Sequence, residues 1–259
     1  MNLNALHRRL LQDVLEIGNA FPFVITGGYA VQAHGLVDRL SRDIDVATNS
    51  SLPMASLADQ LIGGLTGRGW HVRVIGVDPI SARFTVTDQE TGEECEVDVL
   101  KEGFNRPPEA TPFGPVLALD DVIGTKVRAF ADRGYPRDLV DIHAASRIRS
   151  PGELEALGRR CAWDEFSLEG LAVRLSSVQW RADEEFSAYG LSDDEIADLR
   201  SWAQAWAEEI NRRLYAEAYV DDEDEEIPCC EVVQRRATPR QPAGAQRAVL
   251  QRVDVEGRP

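Results

Sequence analysis

The sequence predicts an α+β fold in which a sheet comes first and helices follow. Three observations carry that reading. Short runs rich in Val, Ile, Phe and Thr recur between Phe23 and Leu100, separated by turn-forming segments. A helical spacing of apolar residues precedes them at residues 3–19. From Leu119 onward the apolar spacing is mainly helical.

In chain order, Leu3, Leu6, Leu10, Leu11, Val14, Leu15 and Ile17 define the apolar face of a first helix. Phe23-Val24-Ile25 reads as a short buried strand, and Gly27-Gly28 as a tight turn into a short helix through His34. Asp43 to Ala47 is a second strand, and residues 55–65 a helix. Residues 70–76 and 81–87 are strands by composition, and Glu94 to Leu100 follows the turn-rich Asp88–Gly92 as another. Gly63 to Gly69 is glycine-rich but lacks a following Lys-Ser or Lys-Thr, so it reads as a helix end and turn, not a phosphate loop. The break Gly134-Tyr135-Pro136 divides two later helices. Trp163, Trp180, Trp202 and Trp206 read as core anchors of the C-terminal helices, with stacking on a base or partner as the other use of such residues. The expected organisation is an α/β core over residues 1–110, a helical region over 111–220 that completes the site, and a disordered acidic and Pro-rich tail over 221–259.

Composition narrows the function. The 259 residues carry a formal net charge of -16, which argues against a broadly basic nucleic-acid binder. The charge is uneven: residues 1–110 carry -6, 111–150 carry +1, 151–220 carry -8, the run Asp221–Glu226 carries -6 and 227–259 carry +3. No apolar run is long enough to span a membrane, and the first residues lack the pattern of a signal peptide, so a cytoplasmic location is expected. Four cysteines with no Cys-x-x-Cys spacing argue against a disulfide scaffold or a zinc site. The vicinal Cys229-Cys230 falls in the tail and reads as a chance pair rather than a redox pair. The histidines show no paired-ligand spacing, and His34 reads as a packing residue.

The chemistry lies in Thr26-Gly27-Gly28-Tyr29-Ala30 and Arg39-Leu40-Ser41-Arg42-Asp43-Ile44-Asp45-Val46. On a strand, alternate side chains share a face, so Asp43 and Asp45 point together while Ile44 and Val46 enter the core. Two carboxylates about 4 Å apart repel by about 4 kcal/mol at an effective dielectric near 20. A divalent cation removes that conflict, because hard cations take carboxylate oxygens. Glu94, Glu96 and Asp98 share a face of their own strand; beside Asp43 and Asp45, either Asp98 or Glu96 would complete three acids, the set that two-metal phosphoryl transfer uses. Gly27-Gly28 at a helix start lets backbone N–H groups approach a triphosphate. Singly, Asp-x-Asp is common on solvated edges and Gly-Gly in turns; their joint spacing, with Arg39 and Ser41 between, separates this stretch from those cases. Further on, Lys126 and Arg133 share a helix face, as do Asp138 and Asp141 on the next helix, although ordinary surface residues and an Asp138 helix cap would produce the same pattern.

These motifs resemble the DNA polymerase beta-like nucleotidyltransferase superfamily, whose signature is Gly-Gly or Gly-Ser at a strand-to-helix turn, then Asp-x-Asp, then a third acid. Gly27-Gly28, Asp43-Ile44-Asp45 and Asp98 fit those places. The Gly-Gly form lacks one phosphate-binding hydroxyl of the Gly-Ser form. The stretch from Lys126 through Arg133 to Arg137-Asp138-Leu139-Val140-Asp141 resembles the AbiEii/AbiGii abortive-infection toxins and the related MenT-type toxins. The resemblance covers roughly residues 20–145.

It implies a nucleotidyltransferase fold, a mixed sheet with flanking helices, and transfer of NMP from an NTP with Mg²⁺ or Mn²⁺. In the MenT-like branch it implies the tRNA 3′ end as acceptor and a cognate antitoxin in a toxin–antitoxin or phage-defence pair. Asp43 and Asp45 would hold metal, and Asp98 would hold metal or activate the acceptor hydroxyl. Lys126 would contact NTP phosphates, Asp138 would act near the acceptor or hold Lys126, and Gly27, Gly28, Arg39 and Ser41 would support the triphosphate. The same fold also modifies small molecules of the aminoglycoside type, or proteins. A non-catalytic interaction protein is the reading from a different class, and three like charges kept together argue against it.

Overall fold

The structure is a computed structural model that describes residues 1–39, 41–162 and 166–223, and only the backbone of 217–223. Leu40, Trp163 and the expected tail from residue 224, with Cys229-Cys230, lie outside the described residues.

Helix α1 (Ala5–Ile17) starts where Asn4 accepts a hydrogen bond from the His7 N–H, and buries Leu6, Leu10, Leu11 and Val14. Strand β1 (Val24–Ile25), helix α2 (Gly27–Ala33), strand β2 (Asp43–Thr48) and helix α3 (Met54–Thr66) follow. Gly63 and Gly64 lie inside α3, so the turn expected from residue 63 begins only at Gly67. The hairpin β3 (Trp70–Val77) and β4 (Ser81–Asp88) leads into β5 (Glu94–Lys101). Two strands unmarked in the sequence, β6 (Glu109–Thr111) and β7 (Gly114–Val116), complete a seven-stranded sheet of order β3-β4-β5-β2-β1-β7-β6. β1 pairs antiparallel with β2, while β2 with β5 and β1 with β7 are parallel, so the sheet is mixed.

The sheet therefore continues past residue 110 through β7. Helices α4 (Leu119–Arg133) and α5 (Pro136–Ala145) come next. Gly134 ends α4 with φ of 66°, a left-handed conformation that glycine adopts at little cost, and Pro136 opens α5. Helices α6 (Pro151–Cys161), α7 (Leu168–Ser177), α8 (Glu184–Ser187) and α9 (Asp193–Glu223) form the rest. Two apolar cores meet within α4: one under the sheet reaches Val122, and a helical one begins at Ile123. No described helix is long and apolar enough to cross a membrane.

One expectation is corrected. Trp206 is buried and Trp202 stacks on it at 5.2 Å, but Trp180 is 89% exposed. Trp180 ends the single 3₁₀ turn Val178–Trp180, in which Val178 takes the inward position and turns Trp180 to solvent. Helix α9 runs as far as Glu223, and nothing from Leu214 to Glu223 is Gly or Pro to stop it.

Candidate active site

The central strands place the acids. On β2, Ile44 and Val46 are fully buried, and their alternation turns Asp43 and Asp45 to the opposite face. β5 lies parallel to β2 with Asp45 opposite Asp98 and Asp43 opposite Glu96. Asp98 is nearly buried beside Asp45, whereas Glu96 is exposed, so Asp98 is the third acid of the cluster. All three line a cleft of about 920 Å³ together with Gly27, Gly28, Arg39, Ser41, Lys126, Arg133, Arg137 and Asp138. The structure thus brings together every site residue expected from the sequence.

The glycines are needed at this face. Gly27 has φ of 60°, and a Cβ there would lie 1.8 Å from an Asp45 carboxylate oxygen. At Gly28 a Cβ would lie 2.5 Å from Ser41 Oγ. The Ser41 hydroxyl thus occupies the space above Gly28, where it donates a 3.0 Å hydrogen bond to Asp43 Oδ1. Gly27→Ala is expected to displace Asp45 and to slow nucleotide transfer about 10²-fold, as a misplacement of about 1 Å at a reacting centre does. The left-handed backbone adds about 1 kcal/mol of destabilisation. Steady-state transfer assays beside thermal melts check this, and a Gly27→Ala protein with the wild-type rate would sink the argument.

Cations answer the acids. Arg83, opposite Asp98 in the antiparallel β4–β5 register, holds both its carboxylate oxygens at 2.7 and 2.6 Å. Arg137 donates to Asp43 Oδ2 at 3.2 Å and so ties α5 to β2. The Asp45 carboxylate receives no hydrogen bond from the described residues; burial, then the nearby Asp43, push its carboxyl up to about 7.

Behind these acids is a buried network. Lys126 Nζ lies 3.3 Å from Asp138 Oδ1 and 2.9 Å from Asp141 Oδ2. Arg133 Nη2 reaches Asp138 Oδ2 at 2.9 Å, and Arg39 Nη2 reaches both oxygens of Asp141 at 2.9 and 3.0 Å. Burial alone would lower the Lys126 ammonium, yet Asp141 and Asp138 hold it above its usual range, so it stays charged. Asp138 is the third residue of α5 and fully buried, and its carboxylate serves the cations; the helix begins after Tyr135 with no side-chain cap. Arg39 reaches Asp141 in this network, and its guanidinium also lies over Tyr189, a cleft residue, at 5.3 Å.

The donor set suits a hard divalent cation: carboxylate oxygens on adjacent strand positions, one of them without a hydrogen-bond donor, in the space that a glycine leaves for it. Among the described residues no three such groups converge as ion ligands, because Arg83 and Arg137 engage Asp98 and Asp43. Asp43 and Asp98 would exchange these partners for an ion. The lining also includes Arg42, Lys101 and Arg128, so its cations match its carboxylates in a chain of net charge -16. The cleft can accept phosphate although the protein as a whole is acidic.

Sequence reasoning missed Arg83 and Tyr189. Neither belongs to a motif: Arg83 becomes a partner of Asp98 only through strand register, and Tyr189 reaches the cleft only through the packing of α8 on α5. His34 donates its Nε2–H to the Leu117 carbonyl oxygen, 2.7 Å away, and is a packing residue.

Comparison with known proteins bears on the fold and the family. A search of curated protein sequences gives no match. Among solved structures, MenT4, a nucleotidyltransferase toxin from Mycobacterium tuberculosis H37Rv, superposes with a TM-score of 0.53 at 19% identity, over 82% of this chain and 91% of that one. A candidate nucleotidyltransferase from Helicobacter pylori gives 0.50 at 15% identity, over 83% and 98%. JHP933 from the same organism gives 0.48 at 16%, over 87% and 100%. At these identities the first two establish a shared nucleotidyltransferase fold. The family model of the nucleotidyl transferase AbiEii toxins matches residues 9–222, which is most of the sequence. The chain therefore belongs to the AbiEii family of nucleotidyltransferase toxins of type IV toxin–antitoxin systems.

Proposed function

We propose that this nucleotidyltransferase transfers NMP from an NTP, with Mg²⁺ or Mn²⁺, to the 3′ end of tRNA, and that a cognate antitoxin restrains it in the cytoplasm. The observation that carries the reading is the placement of Asp45 in register with Asp98, beside Asp43 and under the bare backbone of Gly27, in a cleft lined by matching cations.

Asp43, Asp45 and Asp98 would hold the divalent cation, which when bound neutralises phosphate charge and lowers the pKa of an attacking oxygen. The protein's own groups do the rest. Gly27 leaves the space that the Asp45 carboxylate occupies. Ser41 orients Asp43 through its hydrogen bond, and Arg39 fixes Asp141, which with Asp138 keeps Lys126 protonated. Lys126 then presents a fixed positive charge beside Asp45, in surroundings where water screens it weakly. Arg133 and Arg137, both partly exposed, can follow the phosphates of the acceptor strand. The balanced charge of the lining favours this acceptor over a cationic small molecule of the aminoglycoside type.

The test uses purified protein, Mg²⁺, each labelled NTP in turn and total tRNA. Label is expected in tRNA with the wild type and not with Asp45→Asn. Label only in a small molecule or a protein when a cell extract is supplied would reassign the acceptor. No labelled product under either condition would overturn the reading.

A further inference from the structure

The turn between α4 and α5 carries an aromatic residue that the catalytic acids do not use. Tyr135 is 50% exposed and makes no side-chain cap for α5. Two arginines lie over its ring: Arg133 Cζ is 5.1 Å and Arg137 Cζ 6.0 Å from the ring centre. Both arginines belong to the cleft. Arg133 reaches Asp138 with the other end of its fork, and Arg137 reaches Asp43. One guanidinium therefore spans the distance between the exposed ring and the first catalytic acid.

A half-exposed ring with guanidiniums over it suits single-stranded nucleic acid. A base stacks on the ring or on a guanidinium plane without regard to sequence, and the guanidinium N–H groups meet the adjoining phosphates. A duplex end offers only the outer face of its terminal pair, whereas an unpaired nucleotide can be splayed out with its own phosphates free to reach the guanidiniums. Tyr and Arg also serve protein interfaces, but here both arginines pair with carboxylates of the cleft, which places the ring at the path an acceptor strand takes to the acids.

We infer that Tyr135, with Arg133 and Arg137, forms a subsite that receives an unpaired nucleotide near the 3′ end of the acceptor RNA, and so selects single-stranded ends over duplex ends. The inference rests on RNA being the acceptor. The ring positions the strand, and the transfer itself takes place at Asp43, Asp45 and Asp98.

The test measures binding of a labelled single-stranded RNA of about eight nucleotides, without NTP and with a chelator so that no turnover occurs, beside a blunt duplex of the same length. The single strand is expected to bind the wild-type protein more tightly than the duplex and with a strong dependence on salt. Tyr135→Ala is expected to weaken single-strand binding about 5- to 100-fold, the effect of losing one stacked base. Tyr135→Phe is expected to retain it, since the π-face remains. Unchanged melting temperature in both variants would show that folding is not the cause, as expected for a half-exposed ring. In tRNA transfer assays Tyr135→Ala should raise KM for the acceptor and leave KM for the NTP alone. Undiminished RNA affinity in Tyr135→Ala, while the wild type still labels tRNA, would overturn the subsite and leave the proposed activity standing. Failure of the wild type to label any RNA would overturn both.

Discussion

Asp45→Asn is expected to abolish most nucleotide transfer and, in metal-free buffer, to make the protein more stable. The first effect follows from losing a carboxylate that would bind the cation: several kcal/mol of transition-state stabilisation correspond to at least about 10²-fold in rate. The second follows from the position of Asp45. Its carboxyl is raised from its ordinary value of 3.8 to about 7, first by burial and then by Asp43. A group whose pKa is raised by folding favours the folded state in its protonated form. That contribution is complete below the unfolded value and is lost as pH rises through the folded one. Wild type and Asp45→Asn should therefore melt alike near pH 4. The variant should gain progressively between pH 4 and 7 and hold its advantage above that. Each pH unit separating the folded from the unfolded value corresponds to about 1.4 kcal/mol, and water reaching the cleft reduces the total, so an advantage of about 2 kcal/mol is expected at pH 8. For a protein of this size that is a rise of about 4–8 °C. Mg²⁺ should stabilise the wild type at pH 8 and close the gap. A variant that melts below the wild type at pH 8 in chelator would contradict this account of Asp45.

Asp138→Ala is expected to cost far more stability. Asp138 is fully buried and pairs with both Lys126 and Arg133. Removing it leaves the buried Lys126 ammonium with Asp141 alone, and Asp141 is already shared with Arg39. Breaking a buried ion pair by deleting one partner typically costs about 3–5 kcal/mol, because the remaining charge stays out of water. With Asp141 still present, the lower figure of about 3 kcal/mol applies, a fall of about 6–12 °C in melting temperature. Activity should fall too, since Lys126 and Arg133 lose their common anchor. Asp138→Asn, which keeps an acceptor oxygen, should lose less of both. Calorimetry of the two variants decides: an Asp138→Ala protein melting within about a degree of the wild type would mean that the network carries little of the stability.

Much of the site was legible because its chemistry is local in sequence. Asp43 and Asp45 are two apart on a strand, so their shared face follows from strand geometry alone. Gly27 and Gly28 mark a turn because only glycine tolerates the backbone and leaves the space that Asp45 and Ser41 occupy. Lys126 and Arg133 are seven apart, and their common face brings both to Asp138. What was not legible depends on residues far apart in the chain. The strands β6 and β7 have three residues each, one with a proline, and gain their form only by pairing with each other and with β1. Trp180 has the composition of a core residue, and only the turn after α7 sends it to solvent.

The sequence by itself determined the sheet-then-helix order, the paired acids Asp43 and Asp45 and the presence of a near-neutral segment in an acidic chain. These follow from side-chain periodicity and charge, which neighbouring residues specify. Only the tertiary structure decided which acid of β5 faces Asp45, because Glu96 and Asp98 share a face and the β2–β5 register alone distinguishes them. It also decided that Arg83 and Arg137 reach the site from separate elements. The net charge of -16 is a property of the whole sequence. The near balance of charge inside the cleft arises because folding gathers cations from β4, α4 and α5 around acids that β2 and β5 hold side by side.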